Sequence, residues 1–323
     1  MKFLVTGGLG FIGQRVVRTL LARGIPTVSA DDSPNVEAVA DLHAAAGGAA
    51  TFDAVTMDVS DFRDVMAVFQ KHPDVSHAIH LAYVMGPLVD ENTSLSTRVN
   101  VLGMTNMFEA AVHRQFVRLV FTSSETVYGP SQEPYGKRPV TENDFCDPAT
   151  HTFTYAVMKL LNEHMGRRYA ERLGASIVCT RPPVVYGHGR KRSAVMWAEH
   201  FASKPAVGQP VTLPFGPLTR DTWIYKDDCA EQLVRLAIKP KVAHFAYNSG
   251  GQSVTAAELA AIVKKWLPDA QIDFDSGREG TPLIDNEDGT RLIQEIDFVP
   301  RPLEQGVRAH INEARAAVGL PLV

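Results

Sequence analysis

The chain has 323 residues, of which 45% are hydrophobic and 21% charged, and its net charge is −4. That supplies enough apolar material for a full core and too little positive charge to recruit nucleic acid. No apolar run reaches the ~18 residues that a bilayer crossing needs. Cys146, Cys179 and Cys229 are far apart and form no Cys-x-x-Cys pair, so neither a disulfide framework nor a zinc site is indicated, and a reducing, cytoplasmic setting is expected. The histidines are scattered without a ligand spacing, and no metal is expected. The short basic cluster GRKRS (189–193) reads as a solvated loop or an anion contact. Met-Lys runs straight into FLVTGG, with glycines where a signal peptide would stay apolar, so no secretory leader is expected.

In chain order, KFLVT (2–6) is a short apolar run that ends in glycines and predicts a strand. IGQRVVRTLLARG (12–24) carries Ile12, Val16 and Leu20 at helical spacing and stops at Gly24. IPTVSADD (25–32), FDAVTMDVS (52–60) and VSHAIHLA (75–82) predict the second, third and fourth strands. A long helix is expected over about 93–113, then a fifth strand at FVRLVFTSS (116–124). A Pro- and Gly-rich loop (129–150) leads to a helix around 152–173, and ASIVCTRP (175–182) predicts a sixth strand. This alternation implies a Rossmann-type, doubly wound parallel sheet, α/β in class. Beyond 182 the alternation is lost, except for a helix at 225–239 and a strand at HFAYNSG (244–250) that rejoins the main sheet. The expected division is a dinucleotide-binding domain over 1–181 plus about 225–250. A smaller α+β substrate domain is expected over 182–224 and 251–323.

VTGGLGFIG joins the first strand to the first helix, with Gly7, Gly10 and Gly13 three apart and Gly8, Gly10, Gly13 satisfying G-x-G-x-x-G. A turn without side chains lets backbone N–H groups approach a pyrophosphate at a helix N-terminus. Asp31 and Asp32 end the second strand about twenty residues on, where a carboxylate accepts from the adenosine ribose. A carboxylate there repels a 2′-phosphate, so NAD is favoured over NADP. Asp58 ends the third strand and suits either the adenine amino group or ordinary turn chemistry.

Tyr155 and Lys159 stand one helical turn apart and share a face. A neighbouring ammonium favours the phenolate, which makes such a phenol a usable acid/base for an alcohol or carbonyl oxygen. Ser124 lies at the C-terminal end of the fifth strand, where open α/β sheets place their sites.

Taken in order, TGGLGFIG (6–13), Asp31, Asp58, HLA (80–82), NVLGMTNMFEAA (100–111), FTSSETVYG (121–129), YAVMK (155–159), RPPVVYGHGR (181–190) and RDTWIYKDD (220–228) resemble the extended short-chain dehydrogenase/reductases, the NAD-dependent epimerase/dehydratase group. The resemblance implies NAD as cofactor, Tyr155 as acid/base, Lys159 on the nicotinamide ribose and Ser124 on the substrate oxygen. It implies Phe11 and Ile12 at the pyrophosphate, Asp31 and Asp32 at the ribose, and Asp58 and Val59 at the adenine. Leu81 and Ala82 would line the cofactor channel, Asn100 would fix the cofactor end of the fourth strand, and Pro182 would border the cofactor. It also implies a homodimer through the helices near 93–113 and 152–173, whose apolar stripes equally suit packing on the sheet.

Two departures bear on the reaction. Nucleotide-sugar relatives carry Asn where Val184 stands, and neither Val184 nor the Pro182–Pro183 pair replaces that donor. Arg220 remains as an anion partner or a surface charge. Dehydratase relatives place Asp-Glu after the serine position, whereas Glu125 and Thr126 follow Ser124 here, and Thr126 cannot serve as the base. Glu125 is either a pocket contact or a carboxylate bonded at a strand end. Val84 and Met85 of YVMGP (83–87) form an apolar roof that excludes water.

The expectation is an NAD-dependent dehydrogenase acting on a secondary alcohol of a small polar, sugar-like or hydroxy-acid substrate. The alternative is a nucleotide-sugar epimerase. A non-catalytic dinucleotide sensor is a third class, but such relatives lose the Tyr or the Lys, and both are present.

Overall fold

The computed structural model describes residues 1–48, 50–191, 193–277 and 282–323. Arg192 of the basic cluster and residues 278–281 of the expected substrate domain lie outside the described residues. The chain divides into two compact units. The first comprises Met1–Ser124, Phe153–Arg181 and Ala230–Tyr247, and the second Glu125–Thr152, Pro182–Cys229 and Asn248–Val323. The division differs from the sequence expectation at 125–152, 225–229 and 248–250, which fall in the second unit, and the Pro- and Gly-rich loop (129–150) makes its bonds there. Tyr128 Oη, for example, donates to Asn248 Oδ1 at 2.7 Å and to the Thr141 carbonyl at 3.0 Å.

The first unit is built on β1 (Phe3–Thr6), β2 (Thr27–Asp31), β3 (Phe52–Thr56), β4 (His77–His80), β5 (Arg118–Thr122) and β6 (Ile177–Arg181). They pair in parallel in the order β6-β5-β4-β1-β2-β3, and the strand Ala246–Asn248 adds beside β6, as the sequence suggested. β1, β4 and β6 are buried along their whole length, the mark of strands covered on both faces.

Helices α1 (Gly13–Ala22), α2 (Val36–Ala46) and α3 (Phe62–Lys71) follow the first three strands. Val16, Val17, Leu20 and Leu21 form the buried stripe of α1. The expected helix over 93–113 runs without a break as α5 (Thr93–Thr97), a π-helical stretch Arg98–Gly103 and α6 (Met104–His113), with a short α4 (Leu88–Glu91) ahead of it. Asn100 lies within the π stretch and is fully buried. α7 (Thr154–Leu173) ends at Gly174 with a left-handed φ of 66°. It buries Ala156, Lys159, Asn162, Glu163 and Gly166 along one face. Gly166 is required there, because a Cβ would stand 3.0–3.3 Å from the rings of Phe108, Phe245 and Phe121.

The second unit holds a three-stranded sheet and a two-stranded one. In the first, Arg220–Tyr225 pairs antiparallel with Gln252–Thr255 and parallel with Val184–Tyr186. In the second, Val211–Leu213 pairs in parallel with Ile272–Phe274. Its core is strongly aromatic: Tyr186, Phe201 and Trp223 meet edge-on at centroid distances of 5.3–6.0 Å. No helix among the described residues is long and apolar enough to cross a membrane.

Candidate active site

The turn after β1 is a cradle shaped by missing side chains. Gly7 has φ +65°, and a Cβ on it would lie 2.8 Å from the backbone of Leu81 and Ala82. A Cβ on Gly13 would lie 2.0 Å from the Gly7 carbonyl oxygen, so Gly13 lets α1 enter against the turn. Gly10 differs, because its Cβ would meet nothing closer than the Gly7 oxygen at 3.1 Å. Its bareness therefore serves the open side, where a diphosphate approaches. The N-terminus of α1 begins after Ile12 with no side-chain cap and no acid in its first turn, which leaves the positive end of the helix for an anion. These residues fit the diphosphate of a dinucleotide.

Asp31 closes this loop. Its Oδ2 accepts from the Leu9 N–H and from Ser29 Oγ, each at 3.1 Å. Burial raises its pKa to about 6 against these bonds, and the charge of Asp32 adds to the rise. Asp32 itself is exposed. Asp58 Oδ1 accepts from the Ser60 N–H at 2.8 Å and Ser60 Oγ at 2.7 Å, the turn chemistry already open to it. Val59 is buried in the core, and its side chain is why position 103 is glycine, since a Cβ there would sit 2.7 Å from Val59 Cγ2. Leu81 and Ala82 direct their N–H groups to Thr6 Oγ1 at 3.3 Å.

Lys159 is buried at 2% exposure, and its Nζ donates to the Thr122 carbonyl at the end of β5 at 2.6 Å. The Tyr155 ring centre is 5.5 Å from Nζ. Burial brings the Lys159 pKa down to about 7, although Cys179 and Glu163 oppose the fall. Ser124, 9% exposed, stands two residues beyond β5, so the strand that anchors the amine also delivers the hydroxyl. His80, at the end of β4, bonds through Nδ1 to Thr6 Oγ1 at 2.7 Å. Burial and then the nearby Lys159 hold its pKa down at about 3, so it stays neutral.

Three contributors are absent from the sequence reading. Tyr83 carries Lys159 Nζ over its ring at 3.5 Å and meets Tyr155 edge-on at 5.5 Å. Asn162 Nδ2 donates to Tyr83 Oη at 3.4 Å and to the Asn100 carbonyl at 2.9 Å. Glu163 pairs with Arg181 below Ser123. Asn162 and Glu163 follow Lys159 at three- and four-residue spacing, the signal that would have found them. Asn100 grips Val84 by both its amide atoms, accepting from its N–H at 2.7 Å and donating to its carbonyl at 3.0 Å.

Pro182, Glu125 and Arg220 belong to the second unit. The Pro182 carbonyl accepts from the Glu125 N–H at 3.1 Å. Arg220 donates to the Ser253 carbonyl at 3.0 Å and lies 3.4 Å from Glu258. Glu125 is 3% exposed and its Oε2 finds no partner among the described residues. Burial, then Glu287 and Asp221, push its carboxyl well above the usual range, which favours the neutral form. The scattered histidines also hide a cluster, in which ligand-type atoms of His188, Glu199 and His310 come within 4.8 Å of one another. The Ser203 hydroxyl already bridges the two rings, at 3.1 Å and 2.8 Å, and Lys226 and Arg190 add positive field at His310. The cluster is a hydrogen-bonded core network.

A family model for the NAD dependent epimerase/dehydratase family matches residues 3–250. The chain belongs to this family. As a member of it, the protein is an NAD-dependent enzyme of the short-chain dehydrogenase/reductase type. It is 26% identical to CDP-paratose 2-epimerase of Salmonella typhi over 93% of this chain and 95% of that one. It is 27% identical to mitochondrial L-threonine 3-dehydrogenase of Sus scrofa over 84% of this chain and 70% of the relative. The fold matches the crystal structure of a Thermus thermophilus UDP-glucose 4-epimerase in complex with NAD. That match has a TM-score of 0.78 and 24% identity over 98% of this chain and 100% of the other.

Proposed function

We propose that the protein is an NAD-dependent dehydrogenase that interconverts a secondary alcohol and its ketone on a small polar substrate. The observation that carries this reading is the buried Lys159, whose Nζ lies 5.5 Å from the Tyr155 ring centre. Bound NAD supplies the two-electron acceptor for the carbinol hydrogen. Tyr155 Oη takes the hydroxyl proton as the carbonyl forms, and returns it in the reverse direction. Lys159 favours the anionic phenol by its charge and holds the nicotinamide ribose. Ser124 Oγ donates to the substrate oxygen and fixes it for the transfer. His80, kept neutral by burial, adds no second positive charge beside the amine.

A free small substrate is preferred to a nucleotide sugar because of Val184. It is 4% exposed within the second unit's aromatic core and offers no donor to a diphosphate. L-threonine 3-dehydrogenase, one of the relatives, carries the name of a small-substrate oxidation. The second reading is a nucleotide-sugar epimerase, in which the same groups remove and return the hydrogen. It is favoured by the match to CDP-paratose 2-epimerase along nearly the whole of both chains. NADH formation with a panel of hydroxy acids, amino alcohols, sugar acids and aldoses, run beside UDP- and dTDP-sugar isomerisation, separates the two. Turnover confined to the nucleotide sugars would sink the dehydrogenase reading.

The working unit we infer is a homodimer in the cytoplasm. Leu102 in the π stretch and Val157 and Leu161 on α7 are 41–46% exposed, an apolar surface suited to a second copy. None of Cys146, Cys179 and Cys229 is joined in a disulfide, which suits a reducing compartment. Light scattering of the purified protein tests the dimer, and a monomer mass would overturn it.

A further inference from the structure

We propose that Tyr83 is a positioning residue for the proton-handling pair: its ring face holds the Lys159 ammonium while its perpendicular contact sets the Tyr155 ring. The inference rests on the reading of Tyr155 and Lys159 given above. Lys159 Nζ lies 3.5 Å from the Tyr83 ring centre, well inside the ~6 Å within which a cation feels a ring quadrupole. The Tyr155 ring centre is 2.0 Å farther from the same nitrogen, at 5.5 Å, so the closest aromatic face is that of Tyr83. The two tyrosines meet at an interplanar angle of 81°, edge to face.

The placement of Tyr83 is built rather than incidental. Asn162 Nδ2 reaches its phenol oxygen at 3.4 Å, and Asn100 clamps the backbone of Val84, the next residue, from both sides. Asn162 and Asn100 are in turn joined through the Asn100 carbonyl. The anchored segment therefore fixes where the ring stands, while Thr122 and α7 fix where the amine stands.

The ring matters because the amine is short of other support. Lys159 is buried, and burial disfavours its charge. The groups that face it are the Thr122 carbonyl from β5, Glu163 and Tyr155 from α7, Cys179 from β6 and His80 from β4. Glu163 is tied to Arg181, which spends much of its charge. Burial keeps the Cys179 thiol protonated and His80 neutral. An aromatic face at van der Waals distance is thus a main stabiliser of the charged amine that costs no compensating charge.

The test is direct titration of Lys159 in the cofactor-free protein, by NMR of isotope-labelled lysine side chains with the signal assigned through Lys159→Met. Tyr83→Phe keeps the face and is expected to leave the Lys159 pKa unchanged. A trifluorinated phenylalanine at position 83 keeps the shape but drains the face of electron density. It is expected to lower the pKa by roughly half a unit to one unit. Tyr83→Leu is expected to lower it by about one unit, and the limb of the pH–rate profile that reports Lys159 moves with it. A trifluorinated variant that titrates like the phenylalanine variant would overturn the proposal, as would a Lys159 pKa that rises in Tyr83→Leu, because the ring would then act only as a wall against water. Tyr155→Phe judges the dehydrogenase reading separately: full turnover in that variant defeats the reading, whatever Lys159 does.

Discussion

Glu163 and Arg181 form a buried, two-pronged ion pair: Arg181 Nε donates to Oε1 at 2.9 Å and Nη2 donates to Oε2 at 2.6 Å. The side chains are only 5% and 6% exposed, and the Ser123 hydroxyl shares Oε1. The pair links α7, which carries Tyr155 and Lys159, to β6 and to the residue just before Ser124.

Removing one partner strands a buried charge. Arg181→Leu is expected to cost about 3–5 kcal/mol in a urea unfolding experiment. The double variant Glu163→Leu, Arg181→Leu is expected to recover most of that loss, because no uncompensated charge remains. A loss in the double variant equal to the sum of the singles would show packing, not charge, to be the cause.

Tyr155→Phe deletes only the phenolic oxygen. Turnover is expected to fall by roughly a hundred- to ten-thousandfold. The dissociation constant for NADH, read from its fluorescence, is expected to change little, since the cradle around Gly10 and Asp31 is untouched.

The two glycines of the cradle are expected to fail differently when changed to alanine. Gly13→Ala drives a methyl to 2.0 Å from the Gly7 oxygen, so the helix must shift and stability drops by about 1–3 kcal/mol. Gly10→Ala meets only one atom, at 3.1 Å, so the thermal midpoint holds while NADH binding is lost. Thermal melts paired with NADH titrations read both effects.

Asp31 links cofactor affinity to pH. Its folded pKa is raised to about 6 from 3.8, so the folded protein binds this proton more tightly than the unfolded chain does. The contribution to stability is therefore full below 3.8 and is lost as pH rises through about 6. NADH binding runs the other way: below about 6 the carboxyl is protonated, its charge no longer favours the ribose hydroxyls, and affinity falls. Asp31→Asn is expected to weaken NADH roughly tenfold at neutral pH, to flatten this pH dependence and to stabilise the cofactor-free protein. NADH titrations across this pH range, with melts of both proteins, check all three.

The glycine spacing, the acid at the end of β2 and the one-turn interval between Tyr155 and Lys159 are local patterns, and the sequence alone determined them along with the alternating strand–helix order. Period and punctuation are properties of neighbours in the chain, so a parallel sheet and a dinucleotide turn are legible without a structure. Tertiary structure alone decided what each charge faces. Arg220 meets Glu258 and the Ser253 carbonyl, and Asp58 accepts from Ser60. Burial, and then Glu287 and Asp221, residues far along the chain, push the Glu125 carboxyl above its usual range. Tyr83 stands over Lys159 on a segment after β4 that Asn100 and Asn162 hold by hydrogen bonds. Burial and long-range pairing set the strength of these interactions, and neither has a period that a sequence can display.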